Sequence, residues 1–459
     1  MKSWILLAAL AASALPGCAR SPLAHGGLSD GQALHDAVDG LTDVIVYDIF
    51  SPPQSSRIYA YASIAAYETI RQKHPEYRSL AGQVAGLEPV PAPTPGVSYD
   101  MSLAGVHAYM TVGRMLTFSR DRMDSLRTDM HERFRRAGVT GAVFDSSIAY
   151  GDRVAQHILA WSAKDNYAQT RGYPKYTVMD EPGRWTPTPP AYMDAIEPSW
   201  AMLRPFVLDS ASQFRPKPPV PFDMSEGSAF RRQVMEVYEV GKGLTEEQRA
   251  IAAFWDCNPY VMNVRGHAMF ATKKISPGGH WMGIVAISSR KAGYDVMQTA
   301  EAYARTSIAL SDGFISVWEE KFRSNLIRPE TIINREIDES WMPLLQTPPF
   351  PEYTSGHSVI STAASVVLTD QFGDGFAFAD STEMEYGLPI RTFPSFKAAA
   401  AEAAMSRLYG GIHYCMAIEE GISQGRRVGE LVVSEVRTRA STAEPTIADA
   451  ATSAMLDDH

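Results

Sequence analysis

Between Lys321 and His413 the chain carries three short clusters of cationic, hydroxyl and imidazole side chains. The first is Lys321-x6-Arg328-Pro329, the second Glu352-Tyr353-Thr354-Ser355-Gly356-His357, and the third Ser406-Arg407-x5-His413. Guanidinium and ammonium groups make charge-assisted hydrogen bonds to oxyanions, and an imidazole exchanges protons near neutral pH. In this order the clusters read as one pocket for a tetrahedral oxyanion. Lys321, Arg328 and Arg407 are its cationic donors; the Ser355 hydroxyl and the Gly356 N–H are its neutral ones. Taken singly, each cluster fits a structural role equally well: snorkelling cations at a helix end, a capped helix, a packing histidine.

Three elements must position these groups. Val296, Ala300, Tyr303, Ser307, Leu310, Phe314, Val317 and Lys321 recur at spacings of four and three, one face of a helix. Lys321 continues a core-facing stripe, so its charge calls for an anionic partner. Arg328 lies two turns on, about 10 Å along the same face if the helix continues, and Pro329 ends it near there. Pro348-Pro349-Phe350-Pro351 bars a helix before the second cluster. Ser355 then stands as N-cap of a helix that closes near Gly373. The free N–H groups near Gly356 would face an anion, helped by the dipole and by close backbone approach at glycine, with His357 at the mouth. An alanine-rich helix from about Ser395 is broken by Gly410 and Gly411, and His413 opens the next helix.

The ordered combination resembles the signature shared by vanadium-dependent haloperoxidases and type 2 phosphatidic-acid phosphatases, strongly over the last third of the chain. Phe50-Ser51-Pro52-Pro53 through Arg57, Trp185 through Tyr192, and Phe254-Trp255-Asp256 through Pro259 resemble the bacterial exported haloperoxidase-like branch. The resemblance implies that His413 contacts the central atom of the oxyanion and that His357 moves protons. In a haloperoxidase His413 is the axial ligand of vanadate, Lys321 polarises the oxidant, and the substrates are hydrogen peroxide and a halide. In an acid phosphatase His413 is the nucleophile, a phosphohistidine forms, the substrate is a phosphate ester and no vanadate is needed. A non-catalytic phosphate or vanadate binder is the third reading. Chain length favours the haloperoxidase.

One departure bears on His413. Ala417 stands where many members of the superfamily carry an aspartate that orients the imidazole, and Glu419 and Glu420 have the wrong spacing to replace it. A carbonyl or a carboxylate from elsewhere must hold the ring. Asp256 is the candidate for a catalytic partner to His357 or Arg407, with a turn role as the alternative. His267 and His280, among glycines, read as structural or peripheral.

The formal net charge of −10 over 459 residues argues against nucleic-acid binding. Met1-Lys2, the apolar run from Trp4 to Leu15 and Pro16-Gly17-Cys18 read as a lipoprotein-type signal peptide over 1–18. The mature chain is then exported, in the bacterial periplasm or anchored to the outer membrane through acylated Cys18. That anchor is its only expected membrane contact, since no later stretch holds the ~18 apolar residues a spanning helix needs. Cys257 and Cys415 remain, as a disulfide or as two free thiols.

The expected fold is all-α, two packed helical halves. A tether covers 19–30, an N-terminal half 31–222, a site-bearing domain 223–440 and a disordered tail 441–459. Stripes at Met123, Leu126, Met130 and Phe134 and at Phe144, Ile148, Gly151, Val154, Ile158 and Trp161 mark helices in the first half. From Thr170 to Phe222 proline and aromatic residues replace helical periodicity, predicting a long strap over the pocket entrance or between the halves.

Overall fold

A computed structural model describes residues 31–265 and 267–439; the expected signal peptide, tether and tail lie outside the described residues. The helices in order are α1 (Gln32–Tyr47), α2 (Pro52–Ile70), α3 (Met101–Leu116), α4 (Arg120–Arg136), α5 (Gly141–Ser162), α6 (Tyr167–Thr170) and α7 (Ala229–Lys242). They continue with α8 (Glu246–Phe254), α9 (Pro277–Ala292), α10 (Val296–Ser324), α11 (Pro329–Glu336), α12 (Gly356–Phe372), α13 (Phe396–Tyr409) and α14 (Cys415–Glu435). The two stripes of the first half fall on α4 and α5.

The architecture is helical, with two small antiparallel hairpins that the helical periodicity did not announce. β1 (Val261–Arg265) pairs with β2 (Ala268–Thr272), Val261 opposite Thr272. β3 (Phe378–Asp380) pairs with β4 (Arg391–Phe393), Phe378 opposite Phe393.

α10 is the axis. Its 29 residues span about 44 Å, and residues on every side of it are buried, including Glu301, Arg305, Asp312, Glu320 and Lys321. A helix buried all round is a central one. α2 packs on one side and α12 on the other, so one continuous apolar core runs from Ala33 to Val436 across both halves. A smaller cluster built on Phe230, Ile333, Trp341 and Leu408 lies under α7 and α11.

α14 presses against α12 through Gly421, Gly425 and Gly429. A Cβ at Gly425 would sit 2.1 Å from the Val359 carbonyl, and one at Gly429 2.8 Å from that of Ala363. Contacts advance in the same direction on both helices, from Ser355 opposite Gly421 to Ala363 opposite Gly429. The two helices are therefore parallel, and both N-termini emerge at one end.

The strap expected over 170–222 runs over 171–228 and holds no α-helix, only a 3-10 turn at Trp200–Met202. Asp312 of α10 anchors it by accepting from the main-chain N–H groups of Phe206, Val207 and Leu208 at 2.7, 2.7 and 3.1 Å. Burial pushes this carboxyl up to about 6 even against those three donors.

Candidate active site

α10 does not run on to Arg328. It ends at Ser324, where Asn325 takes a left-handed φ of 49°, and Arg328 becomes the N-cap position of α11 with Pro329 at its first turn. Arg328 thus reaches the site from a helix start. Ser355 caps α12, its Oγ accepting from the Ser358 N–H at 3.3 Å and from the Ser358 hydroxyl at 2.8 Å. His413 lies on the turn before α14, where Gly411 at φ 75° packs its Cα against Trp341 and Pro343. Three helix N-termini, those of α11, α12 and α14, converge, and each contributes positive potential.

The side chains of Arg328, His357, Arg407 and His413 meet there, and Gly356 joins them. Arg328 is fully buried; its Nε donates to the Phe350 carbonyl at 2.8 Å and its Nη1 to the Ile412 carbonyl at 2.8 Å and to His413 Nε2 at 3.2 Å. Nη2 is buried with no partner. Arg407 donates to the Ser406 hydroxyl and, at 2.6 Å, to the Trp255 carbonyl. His357 bonds through its ring to the Trp255 main chain, while its Nε2 is shielded and unpartnered. A cavity of about 460 Å³ opens over these groups, lined at its base by Gly356, His357, Arg407 and His413. Ala191, Met193 and Ile196 of the strap line its wall, beside Phe314, Trp318 and Phe350.

Lys321, expected to donate to the oxyanion, directs its ammonium at main-chain carbonyls instead: those of Pro351, Glu352 and Thr354, at 3.1, 3.0 and 2.6 Å. It also lies 5.1 Å from the centre of the Phe350 ring. Carbonyl dipoles and an aromatic face satisfy a buried cation without a direct ion pair. Lys321 thereby shapes the loop that carries the second cluster, and its charge reaches the pocket through space.

The group that holds His413 is Glu352. Its Oε1 lies 2.7 Å from His413 Nδ1 and also accepts from the Tyr414 N–H at 3.0 Å. Guanidinium only donates, so Arg328 requires a lone pair on His413 Nε2, and the ring hydrogen sits on Nδ1 facing Glu352. Burial, then the charges of Arg328, Lys321 and Arg407, hold this imidazole well below its usual range, so it is neutral. Glu352 is pushed up to about 7 by burial, against the pull of Arg328 and Lys321. Burial likewise lowers His357, with Arg407 next in effect. Ala417, where an orienting carboxylate was sought, sits in the smaller apolar cluster, and its carbonyl accepts from the Ser355 N–H.

One expectation needs correction, and one open alternative closes. Asp256 forms its bond with Lys274 at 2.9 Å rather than with His357 or Arg407. It lines the cavity and acts on Arg407 only through space. Cys257 and Cys415 are both free thiols, one buried and one part-exposed. The first lies in the wall of the pocket and the second beside Glu419.

Comparison with known proteins decides the family. A crystal structure described as the first bacterial vanadium-dependent iodoperoxidase superposes with a TM-score of 0.86 and 52% identity, covering 90% of this chain and 99% of that one. The chain belongs to the vanadium-dependent haloperoxidases. The family model of the second helical-bundle domain of VCPO matches residues 301–442. Holo-type and apo-type structures of a bacterial vanadium-dependent chloroperoxidase superpose at TM-scores of 0.65 and 0.62, with 17% and 18% identity. They cover 85% and 83% of this chain and 93% and 94% of their own, and share its fold. None of the curated proteins compared matches the chain.

The residues fit a vanadate. The unpartnered Arg328 Nη2 is a buried donor that an oxyanion oxygen would satisfy, and the lone pair of His413 Nε2 beside it would suit the electron-poor central atom. A Cβ at Gly356 would meet nothing within 4 Å, so glycine keeps that space open at the helix start.

Proposed function

We propose that this haloperoxidase holds vanadate through His413 Nε2, with Arg328, Arg407, the Ser355 hydroxyl and the Gly356 N–H around its oxygens, and oxidises halide with hydrogen peroxide. The observation that carries the reading is the locked imidazole. Nδ1–H donates to Glu352, so Nε2 presents a lone pair beside the Arg328 guanidinium. Vanadate supplies a Lewis-acid centre that activates peroxide for attack by halide.

The chain's own residues do the rest. Arg328 and Arg407 neutralise the oxyanion and fix its orientation. Oxidation of halide to hypohalous acid by hydrogen peroxide takes up one proton and releases water. His357, neutral and with Nε2 shielded, is placed to hold and deliver that proton. The apolar wall of Phe350, Trp318 and Phe314 limits water around the oxidising centre.

Iodide is the halide this reading selects, supported by the 52% identical iodoperoxidase structure. Purified protein given vanadate, hydrogen peroxide and iodide, bromide or chloride should oxidise iodide fastest. Hydrolysis of an aryl phosphate inhibited by vanadate, without halide oxidation, would move the assignment to a phosphatase. Export and lipid anchoring at Cys18 belong to the same proposal; a C18S chain that stays in the membrane fraction would refute the anchor.

A further inference from the structure

Behind the pocket wall, three metal-binding side chains aim their donor atoms at one spot. Cys257 Sγ lies 3.4 Å from His280 Nδ1, which lies 3.0 Å from Glu383 Oε1. Cys257 Sγ is 3.8 Å from that same oxygen. The three residues are 2%, 0% and 1% exposed. They come from separate parts of the fold: the segment after α8, the first turn of α9, and the loop after β3.

For tetrahedral zinc, bonds of about 2.3 Å to sulfur and about 2.0–2.2 Å to nitrogen and oxygen give donor–donor edges of about 3.3–3.6 Å. The observed triangle has that size to within a few tenths of an ångström. The imidazole is also turned the right way. Thr382 Oγ1 donates to Asp380 Oδ1 at 2.6 Å. That hydroxyl oxygen and Asp380 Oδ2 must therefore both accept from His280 Nε2, at 2.8 Å each. Nε2 carries a hydrogen, and Nδ1 faces the thiol and the carboxylate.

A bare lone pair on Nδ1 would repel Glu383 Oε1 at 3.0 Å, so positive charge belongs between them. A proton there would satisfy Oε1 but not Glu383 Oε2, which is buried with no partner. A carboxylate behind the far nitrogen, as Asp380 is here, is how metal-binding histidines are oriented.

We propose that Cys257, His280 and Glu383 bind one zinc-like divalent cation, with Asp380 orienting the imidazole and Glu383 Oε2 within reach as a further donor. Thiolate, imidazole and carboxylate together suit zinc and exclude magnesium and calcium, which take oxygen. Binding transfers no electrons. It displaces the thiol proton, and any proton on Nδ1, to solvent, so affinity rises with pH. The cavity, which Cys257 lines, is the access route. The cation would tether the segment whose Trp255 carbonyl receives Arg407 and whose Trp255 ring stacks on His280 at 4.6 Å. It is thus a positioning device for one side of the oxyanion site.

The test uses the full chain without vanadate, so its outcome is independent of the haloperoxidase reading. After equilibration with zinc and removal of the excess, wild type should retain one zinc per chain. C257S and E383Q should retain a small fraction of that, and D380N should bind about 10–100-fold more weakly. With cobalt(II) as probe, wild type and C415S should show a thiolate-to-cobalt absorption band that C257S lacks. Wild type holding no zinc and giving no such band would overturn the proposal, as would C257S holding as much zinc as wild type. Should C257S fail to fold, E383Q and the wild-type cobalt spectrum decide.

Discussion

Two buried imidazoles, each held by a carboxylate, sit on either side of the same wall in different charge states, one neutral and one protonated. His413 donates from Nδ1 to Glu352, and His280 donates from Nε2 to Asp380. Around His413 the other neighbours include Arg328, Lys321 and Arg407, whose charges together with burial keep the ring neutral. Around His280 they are Asp380, Cys257 and Glu383. Burial opposes the charged ring, but the pull of Asp380, then Cys257, overcomes it and raises the ring well above its usual range. The carboxylate sets the tautomer in both; the remaining neighbours set the charge. A neutral ring with a lone pair among cations suits an anion's central atom. A ring facing a thiol and a carboxylate suits a cation.

Breaking the first dyad at its imidazole should have the largest effect: His413→Ala should reduce vanadate-dependent iodide oxidation to background. His357→Ala should lower kcat by about 10²–10⁴-fold, the range for losing a proton-transfer group, with the vanadate requirement kept. Glu352→Gln retains an acceptor for Nδ1 but loses the charge behind it. Vanadate titration of activity should show about 10–100-fold weaker binding.

The same substitution sharpens the comparison through pH. Glu352 is held near 7 when folded, above an ordinary unfolded carboxyl near ~4.3. Burial of its ionised form opposes folding above pH 7, and protonation relieves this as pH falls toward the unfolded value. Wild type should therefore gain thermal stability relative to E352Q between about pH 7 and 4.3, while its vanadate affinity falls over that window. Parallel trends in the two quantities would contradict the assignment. Smallest of all, Gly356→Ala should leave stability within about 0.5 kcal/mol, because its Cβ meets nothing. Vanadate affinity should still drop, because the methyl occupies space left open for the anion.

Much of this site was legible before any coordinates. The clusters, the Ser355 cap and the helix closing at Gly373 follow from local rules of spacing and capping, and the structure has them there. What escaped was long-range. Glu352 meets His413 across 61 residues; its only local mark was its place two turn-forming residues ahead of Ser-Gly-His. Periodicity shows that Lys321 is buried and so calls for an anion, but it does not show the carbonyls that curl back onto it. Pro329 points to a helix end near Arg328, and no local pattern announces the earlier stop at an Asn325 in left-handed geometry. The hairpins were missed because their strands are three to five residues long, too short for alternation to register.

The glycine row of α14 sets the limits on redesign. Where two parallel rods touch backbone to backbone, any side chain at the seam wedges them apart, and the gap widens at whichever end is least clamped. Both reactive rings sit at the N-terminal end of this seam, so a methyl at Gly425 would detune the chemistry without touching the cavity. The strap and mouth offer freedom to vary substrate choice; the seam offers none.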